Sequence, residues 1–238
     1  MTLITKFLIL RDFICKKTMI SDIELAKMSQ AIKLRLSYYE AISYAKVLAE
    51  SSIRYPVAEY LERRLSYKNL VLEYSNPIFQ RKRCDLCVEK GAGANLERIV
   101  FEFKYVRDTT AGLFQDYFDD ILRLHYLHND GMQALFVVCG NTLNFNSQFR
   151  RTKSQTTQLS NKKGLPSGLF SQCLSFSIGR PVKAFSTAKY RKYYQEFCKN
   201  YIFRQQNQTH PTAVAIQTRL IKLINDFDQQ SVGIWEVL

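Results

Sequence analysis

Hydrophobic positions recur along this chain with two different periods, and the switches between them outline its elements. From Ser21 to Glu50, the residues Ile23, Leu25, Ala26, Met28, Ile32, Leu34 and Leu36 follow amphipathic-helix spacing, which predicts one or two helices. Ser51 and Ser52 offer an N-cap and Pro56 a first-turn position for a further helix over Pro56 to Ser66, with Val57, Leu61 and Leu65 as its stripe. The texture then changes to short β-type runs, Leu70 to Tyr74, Arg83 to Glu89 and Ile99 to Val106, broken at Asn76-Pro77 and at Gly91-Ala92-Gly93. An antiparallel meander is expected there. Helical spacing returns from Gly112 to His128, at Leu113, Tyr117, Ile121, Leu124 and Leu127, and the continuous apolar run Ala134 to Cys139 reads as a buried strand. Asn141 to Gly168 is polar and reads as loops, Thr187 to Tyr201 and Pro211 to Asp226 as helices, and Val232 to Val237 as a last short strand.

Helices interleaved with strands predict an α/β fold: a mixed central β-sheet flanked by α-helices, with N-terminal helices before it and a basic, helical C-terminal extension after it. A single domain is expected, with helices over 1–52, a core over 53–142 and the basic extension over 143–238. At 238 residues and 46% apolar, the chain can bury a substantial core, and no segment has the composition of a disordered tail.

Charge narrows the functional classes. The formal net charge is +13, and no Asp or Glu occurs from Gly131 to Gln195, a stretch that holds Arg150, Arg151, Lys153, Lys162, Lys163, Arg180, Lys183, Lys189, Arg191 and Lys192. Aromatic residues are interleaved with them, and a positive groove with stackable rings suits phosphate and unpaired bases, although each ring taken singly reads as core. Six sparsely spaced cysteines are no disulfide framework. The Phe7 to Leu10 run is too short for a secretory signal, and no stretch approaches a membrane span. An intracellular, cytoplasmic protein is the expectation, with nucleoid or nucleus as further compartments, nucleic acid as partner and no membrane. No clean cationic amphipathic helix points to a membrane surface.

Candidate chemistry sits in the meander. Strand alternation over Ile99 to Val106 sends Ile99, Phe101, Phe103 and Tyr105 to one face, and Val100, Glu102, Lys104 and Val106 to the other. Unpaired charge in so apolar a strand is expensive, so something must compensate it. Over Arg83 to Glu89, Asp85 shares a face with Arg83, Cys87 and Glu89, while Cys84 points the other way, and a neighbouring strand would bring Asp85 beside Glu102. Two adjacent carboxylates are a ready Mg²⁺ site, and Lys104 beside them would orient a water and stabilise charge on a phosphate.

These residues resemble the PD-(D/E)XK nucleases, in which an Asp on one hairpin strand and a Glu-x-Lys on the next are joined by a carboxylate from the preceding helix, and a helix and a strand follow. The matching residues are Asp85 in Arg83-Cys84-Asp85-Leu86 and Glu102-Phe103-Lys104, and the resemblance covers roughly Arg54 to Gly140. It implies a restriction-endonuclease-like fold and metal-dependent hydrolysis of DNA, or of RNA, with Mg²⁺ or Mn²⁺ held by Asp85 and Glu102. It also implies a helix carboxylate, for which Glu59 and Glu62 both qualify; family spacing favours Glu59. Cys84 stands where the family name has Pro. Glu73 is a further metal-site candidate, and Gln115 opens the helix where some relatives have a Gln that contacts the site.

Arg81, Lys82 and Arg83 would hold the phosphate backbone together with Arg150, Arg151 and Lys153, or else be solvated strand-end charges. Cys84 and Cys87 form a C-x-x-C without a second pair at zinc spacing, and His125 and His128 lack a metalloprotease context. A homodimer would let two sites cut two strands. The competing class is a catalytically silent nuclease fold that binds nucleic acid or a protein partner.

Overall fold

The computed structural model describes residues 19–44, 48–65, 67, 69–107, 113–149, 174, 178, 183–187, 191–202, 213–225 and 230–238. Their elements run α1 (Asp22–Ala41), α2 (Ser51–Leu65), β1 (Asn69–Tyr74), β2 (Cys84–Lys90), β3 (Glu97–Val106), α3 (Leu113–Asn129), β4 (Gln133–Asn141), α4 (Thr142–Phe149), β5 (Lys183–Ser186), α5 (Arg191–Tyr201), β6 (Ala215–Ile224) and β7 (Gln230–Val237). The strands form one mixed sheet of seven in the order β1-β2-β3-β4-β7-β6-β5. Among the described strands, only β3 and β4 are parallel, joined through α3; every other neighbouring pair is antiparallel. The chain is therefore α/β, with its mixed sheet flanked by helices.

Alternation along the central strands divides the core into two layers. Leu86, Val88, Ile99, Phe101, Phe103, Leu135, Val137 and Ile234 pack with Leu25, Met28 and Ile32 of α1 and Ile53, Val57 and Leu61 of α2. On the other face, Val100, Val106, Ala134, Phe136, Val138 and Trp235 pack with Tyr117, Phe118, Ile121 and Leu124 of α3, Phe145 of α4, and Tyr194 and Phe197 of α5. Because β4 is covered on both sides, its run from Ala134 to Cys139 is apolar without alternating.

Several elements differ from the sequence expectation. α2 begins at Ser51, so Pro56 lies inside the helix and not in its first turn, where it removes one backbone donor. Within the expected loop after Gly140 there is a helix, α4. The expected helix over Pro211 to Asp226 is instead strand β6, in which Ile216, Thr218 and Leu220 are buried and Ala215 and Gln217 exposed. A register shift between Leu220 and Lys222 then breaks the alternation, so Leu220, Ile221, Leu223 and Ile224 take on helix-like spacing.

The long β1–β2 connection is anchored at both ends of its turn. Asn76 Oδ1 accepts from the Ile78 amide at 2.8 Å, Phe79 bridges Ile202, and the Gln80 amide donates to the Tyr201 carbonyl at 2.8 Å. This ties the end of α5 to the loop carrying Arg81, Lys82 and Arg83.

The parallel β3–β4 seam leaves no room at Gly140, which pairs with Val106: a Cβ there would lie 2.6 Å from the Val106 carbonyl oxygen. Gly140→Ala is expected to destabilise the fold by about 1–3 kcal/mol through overpacking against backbone that cannot yield, read as a lower urea midpoint with an unchanged slope.

Candidate active site

Glu102 and Lys104 lie on the α3 face of β3, the face they share with Val100 and Val106, while Ile99, Phe101 and Phe103 occupy the opposite layer. Continuing the β2–β3 register one step beyond the Leu86–Phe101 pair sets Asp85 opposite Glu102. One Asp85 oxygen accepts from the Phe103 amide at 2.7 Å, and the other accepts from Arg54 Nη2 of α2 at 2.5 Å. The structure thus brings Asp85, Glu102 and Lys104 to one end of the meander.

β2 does not alternate strictly at this end. Cys84 joins Cys87 in the α3-side core, where burial and the neighbouring Glu102 carboxylate raise its thiol, while Asp85 turns to Arg54 of α2. The expected opposite facing of the two cysteines is thereby corrected. The break faces Glu73 on β1, whose φ of +53° is a left-handed conformation unusual for a non-glycine residue. Glu73 Oε1 accepts from Arg54 Nη1 at 2.6 Å, so one guanidinium links Asp85 to the edge strand.

The charges on β3 are met from α3. Arg123 donates to Glu102 Oε1 through Nε at 3.1 Å and Nη2 at 2.6 Å, and Nη2 also bonds Asp120. Lys104 Nζ lies 2.7 Å from Asp120 Oδ2 and 3.3 Å from Glu50 Oε1. Glu50 immediately precedes α2. Glu102, Asp120 and Arg123 are almost wholly buried, whereas the Glu50 side chain is 40% exposed.

This surrounding sets the protonation states. Burial pushes Glu102 well above the usual carboxylate range, with Asp120 and Asp85 pushing further and Arg123 opposing. Burial also raises Glu50 against the pull of Lys104. For Asp120, burial is outweighed by Arg123 and Lys104, and the group is held low. Burial pulls the Lys104 ammonium down, but Asp120, Glu50 and Glu102 outweigh it and keep it charged. Next along α3, burial raises Asp119 to about 6 even though the Tyr193 hydroxyl donates to it at 2.7 Å.

Neither expected helix carboxylate joins this group. Glu59 pairs with Arg63 at 3.2 Å, its side chain 56% exposed, and with Glu62 it lines an outer groove beside Tyr55, Ala58, Leu70 and Leu72. Glu59 is five residues past Arg54, about 140° round the helix, which turns it away from the sheet. The carboxylate beside Lys104 is Glu50. Arg81 and Arg83 are exposed on the β1–β2 connection, and Lys82 Nζ sits 4.7 Å above the Tyr201 ring. Arg150, Arg151 and Lys153 lie outside the described residues, as does the side chain of Gln115. His125 Nδ1 donates to the Leu238 oxygen, 3.0 Å away, and its Nε2 accepts from Asn129 Nδ2 at 3.1 Å.

In chemistry and charge the donor set suits a hard divalent ion. Glu50, Glu73, Asp85, Glu102 and Asp120 face Arg54, Lys104 and Arg123, five acids against three bases, in a protein whose net charge is +13. Lys82 and Asp119 alongside add one charge of each sign and leave the excess unchanged. In arrangement the set is not yet convergent: among the described residues no three acidic, histidine or cysteine side chains gather around one point, and Asp85 and Glu102 each hold an arginine.

Glu102, Glu50 and Asp119 are all raised, so the folded state binds more protons than the unfolded one. Their stabilising effect is fully present below the ordinary carboxylate range and is lost as pH rises through their folded values; His125, held low by burial, works in the opposite sense below its ordinary value. In EDTA the melting temperature should therefore fall between pH 5.5 and 8.5. Glu102→Gln should flatten that fall, measured by calorimetry across the range.

No family model matches this chain and no curated protein is found to match it, so its function has to be argued from the geometry of Asp85, Glu102, Lys104 and their partners.

Proposed function

We propose that this protein is a divalent-metal-dependent hydrolase of phosphodiester bonds in DNA, built on the restriction-endonuclease-like arrangement that its meander, helix and strand resemble. The observation that carries the reading is the excess of two acidic over basic side chains in the group around Arg54 and Lys104, in a strongly basic chain. Such an excess is costly unless a cation completes it, and carboxylate oxygens select Mg²⁺, with Mn²⁺ as its substitute.

Asp85, Glu50 and Glu102 would face the ion, which when bound would set positive charge against a phosphate and ease deprotonation of the attacking water. Lys104 remains an ammonium throughout the physiological range, so it acts as a hydrogen-bond donor to the phosphate and not as a base. Glu50 is the candidate proton acceptor: burial raises it, Lys104 orients it, and part of it reaches solvent. Arg81 and Arg83, exposed on the connection just before β2, are suited to backbone phosphates. RNA is the second substrate class, and cleavage of both strands would need two copies with one site each.

One observation favours the catalytically silent reading. Arg54 and Arg123 already neutralise Asp85 and Glu102, as they would in a nuclease fold retained only for binding.

Cleavage of plasmid, linear duplex, single-stranded DNA and RNA with Mg²⁺, Mn²⁺ or EDTA separates the two. Metal-dependent cutting that falls by about 100-fold or more in Lys104→Ala, with circular dichroism unchanged, supports the enzyme. Salt-sensitive DNA binding without cutting of any substrate would leave the silent fold. Glu50→Gln is expected to lower the maximal rate and to abolish the acid limb of the pH–rate profile, whereas Glu59→Gln should leave both unchanged.

A further inference from the structure

The eight charged groups of the site fall into two sets that differ in burial and in charge. The inner set is Glu102, Asp120, Arg123 and Lys104, in which two acids meet two bases. Side-chain exposure there is 2% for Glu102, 4% for Asp120, 5% for Arg123 and 15% for Lys104. The outer set is Glu50, Asp85 and Glu73 around Arg54, three acids to one base, with exposures from 12% to 51%. The whole excess of acidic over basic side chains therefore belongs to the outer set.

Resting on the metal-dependent reading above, we infer that Arg123 is a built-in cation standing in place of a second metal ion, so that the site takes a single divalent ion, at Asp85. Two buried carboxylates on facing elements, Glu102 on β3 and Asp120 on α3, are the kind of pair that an ion would otherwise bridge. Here one guanidinium bridges them, binding Glu102 Oε1 through two nitrogens and Asp120 Oδ1 through one. The remaining Asp120 oxygen lies 2.7 Å from the Lys104 ammonium, an ion pair without hydrogen-bond geometry. Arg123 is held from every side: burial opposes its charge, but Asp120 and Glu102 outweigh that, and the guanidinium stays ionised at any pH the fold survives. An ion entering between Glu102 and Asp120 would have to displace a buried, doubly paired arginine and leave it without a partner, a loss of several kcal/mol.

Arg54 differs in each of these respects. It lies nearer the surface, its Nε has no hydrogen-bond partner, and its second nitrogen already bonds the exposed Glu73. An ion at Asp85 can displace it without stranding its charge.

Counting bound ions tests the inference without relying on activity. Mn²⁺ titration of the metal-free protein, followed by electron paramagnetic resonance, should give one tight site, and Asp85→Asn should remove it. Arg123→Lys should keep the count at one. Arg123→Ala should raise it to two, with a melting temperature that becomes strongly Mn²⁺-dependent. Two tight ions in the wild type, or a folded Arg123→Ala that still binds only one, would overturn the inference while leaving a metal enzyme intact. A folded wild type that binds none removes the metal reading itself and this inference with it. Should Arg123→Ala fail to fold even in Mn²⁺, the wild-type and Arg123→Lys counts still decide.

Discussion

Burying Glu102 and Lys104 in the middle of a strand is the constraint on which the rest of the structure depends. Each ion removed from water costs several kcal/mol unless an opposite charge meets it at good geometry. β3 cannot meet its own charges, because residues two apart on a strand point the same way without bridging. The partners must come from the element packed over that face, and α3 supplies them one turn apart, at Asp120 and Arg123. A turn slip of α3 in either direction would leave at least two buried charges unpaired. The crossover helix is therefore fixed along its axis by electrostatics and in its rotation by Tyr117, Phe118, Ile121 and Leu124, which fill the same core layer.

The same helix carries the site's connection to the C-terminal elements. Asp119, next to Asp120, accepts from the Tyr193 hydroxyl of α5, and Tyr126 one face further on shares a 2.5 Å hydrogen bond with Tyr194. The end of α5 in turn holds the β1–β2 connection through the Tyr201 carbonyl and the Tyr201 ring beneath Lys82. Arg81 and Arg83 are thus positioned by an element that the nuclease resemblance did not cover. Movement of α5 would reach the site through two short routes, one at Asp119 and one at Lys82.

What could be read in the sequence was whatever period two preserves. Glu102 and Lys104 declared themselves because charge on a strand otherwise filled with Val, Ile and Phe has no bland explanation, and the structure places them on the face that alternation assigns. Asp85 was found by its strand, but the local break at Cys84 was not, since it depends on the left-handed turn at Glu73 across the pair. Arg123 and Asp120 had a signal that went unused: both stand among Phe118, Ile121, Leu122 and Leu124, so the polar side of α3 is interrupted by residues that must be buried. Glu50 and Arg54 had none, because they flank the start of a helix whose first turn sequence reasoning placed five residues too late. β6 was misread for a mechanical reason, a bulge that converts alternation into a pattern a helix would also show.

The choice of side chains within the site follows from what each must tolerate. A guanidinium spreads its charge over a planar fork and keeps its proton even where water is excluded, which suits Arg123 between two buried acids. An ammonium is compact and can turn among partners, which suits Lys104 at the boundary between the balanced inner group and the acidic outer one, touching Asp120 on one side and Glu50 on the other. Exchanging the two would place a strongly hydrated point charge where a fork makes three hydrogen bonds to Glu102 and Asp120, and a rigid fork where a donor must follow an approaching phosphate. The order of burial is also the order of permanence. Contacts that fold the protein lie beneath Lys104, and contacts that can change on binding lie above it, at Glu50, Asp85, Arg54 and Glu73, where an exposed edge strand leaves room for them to move.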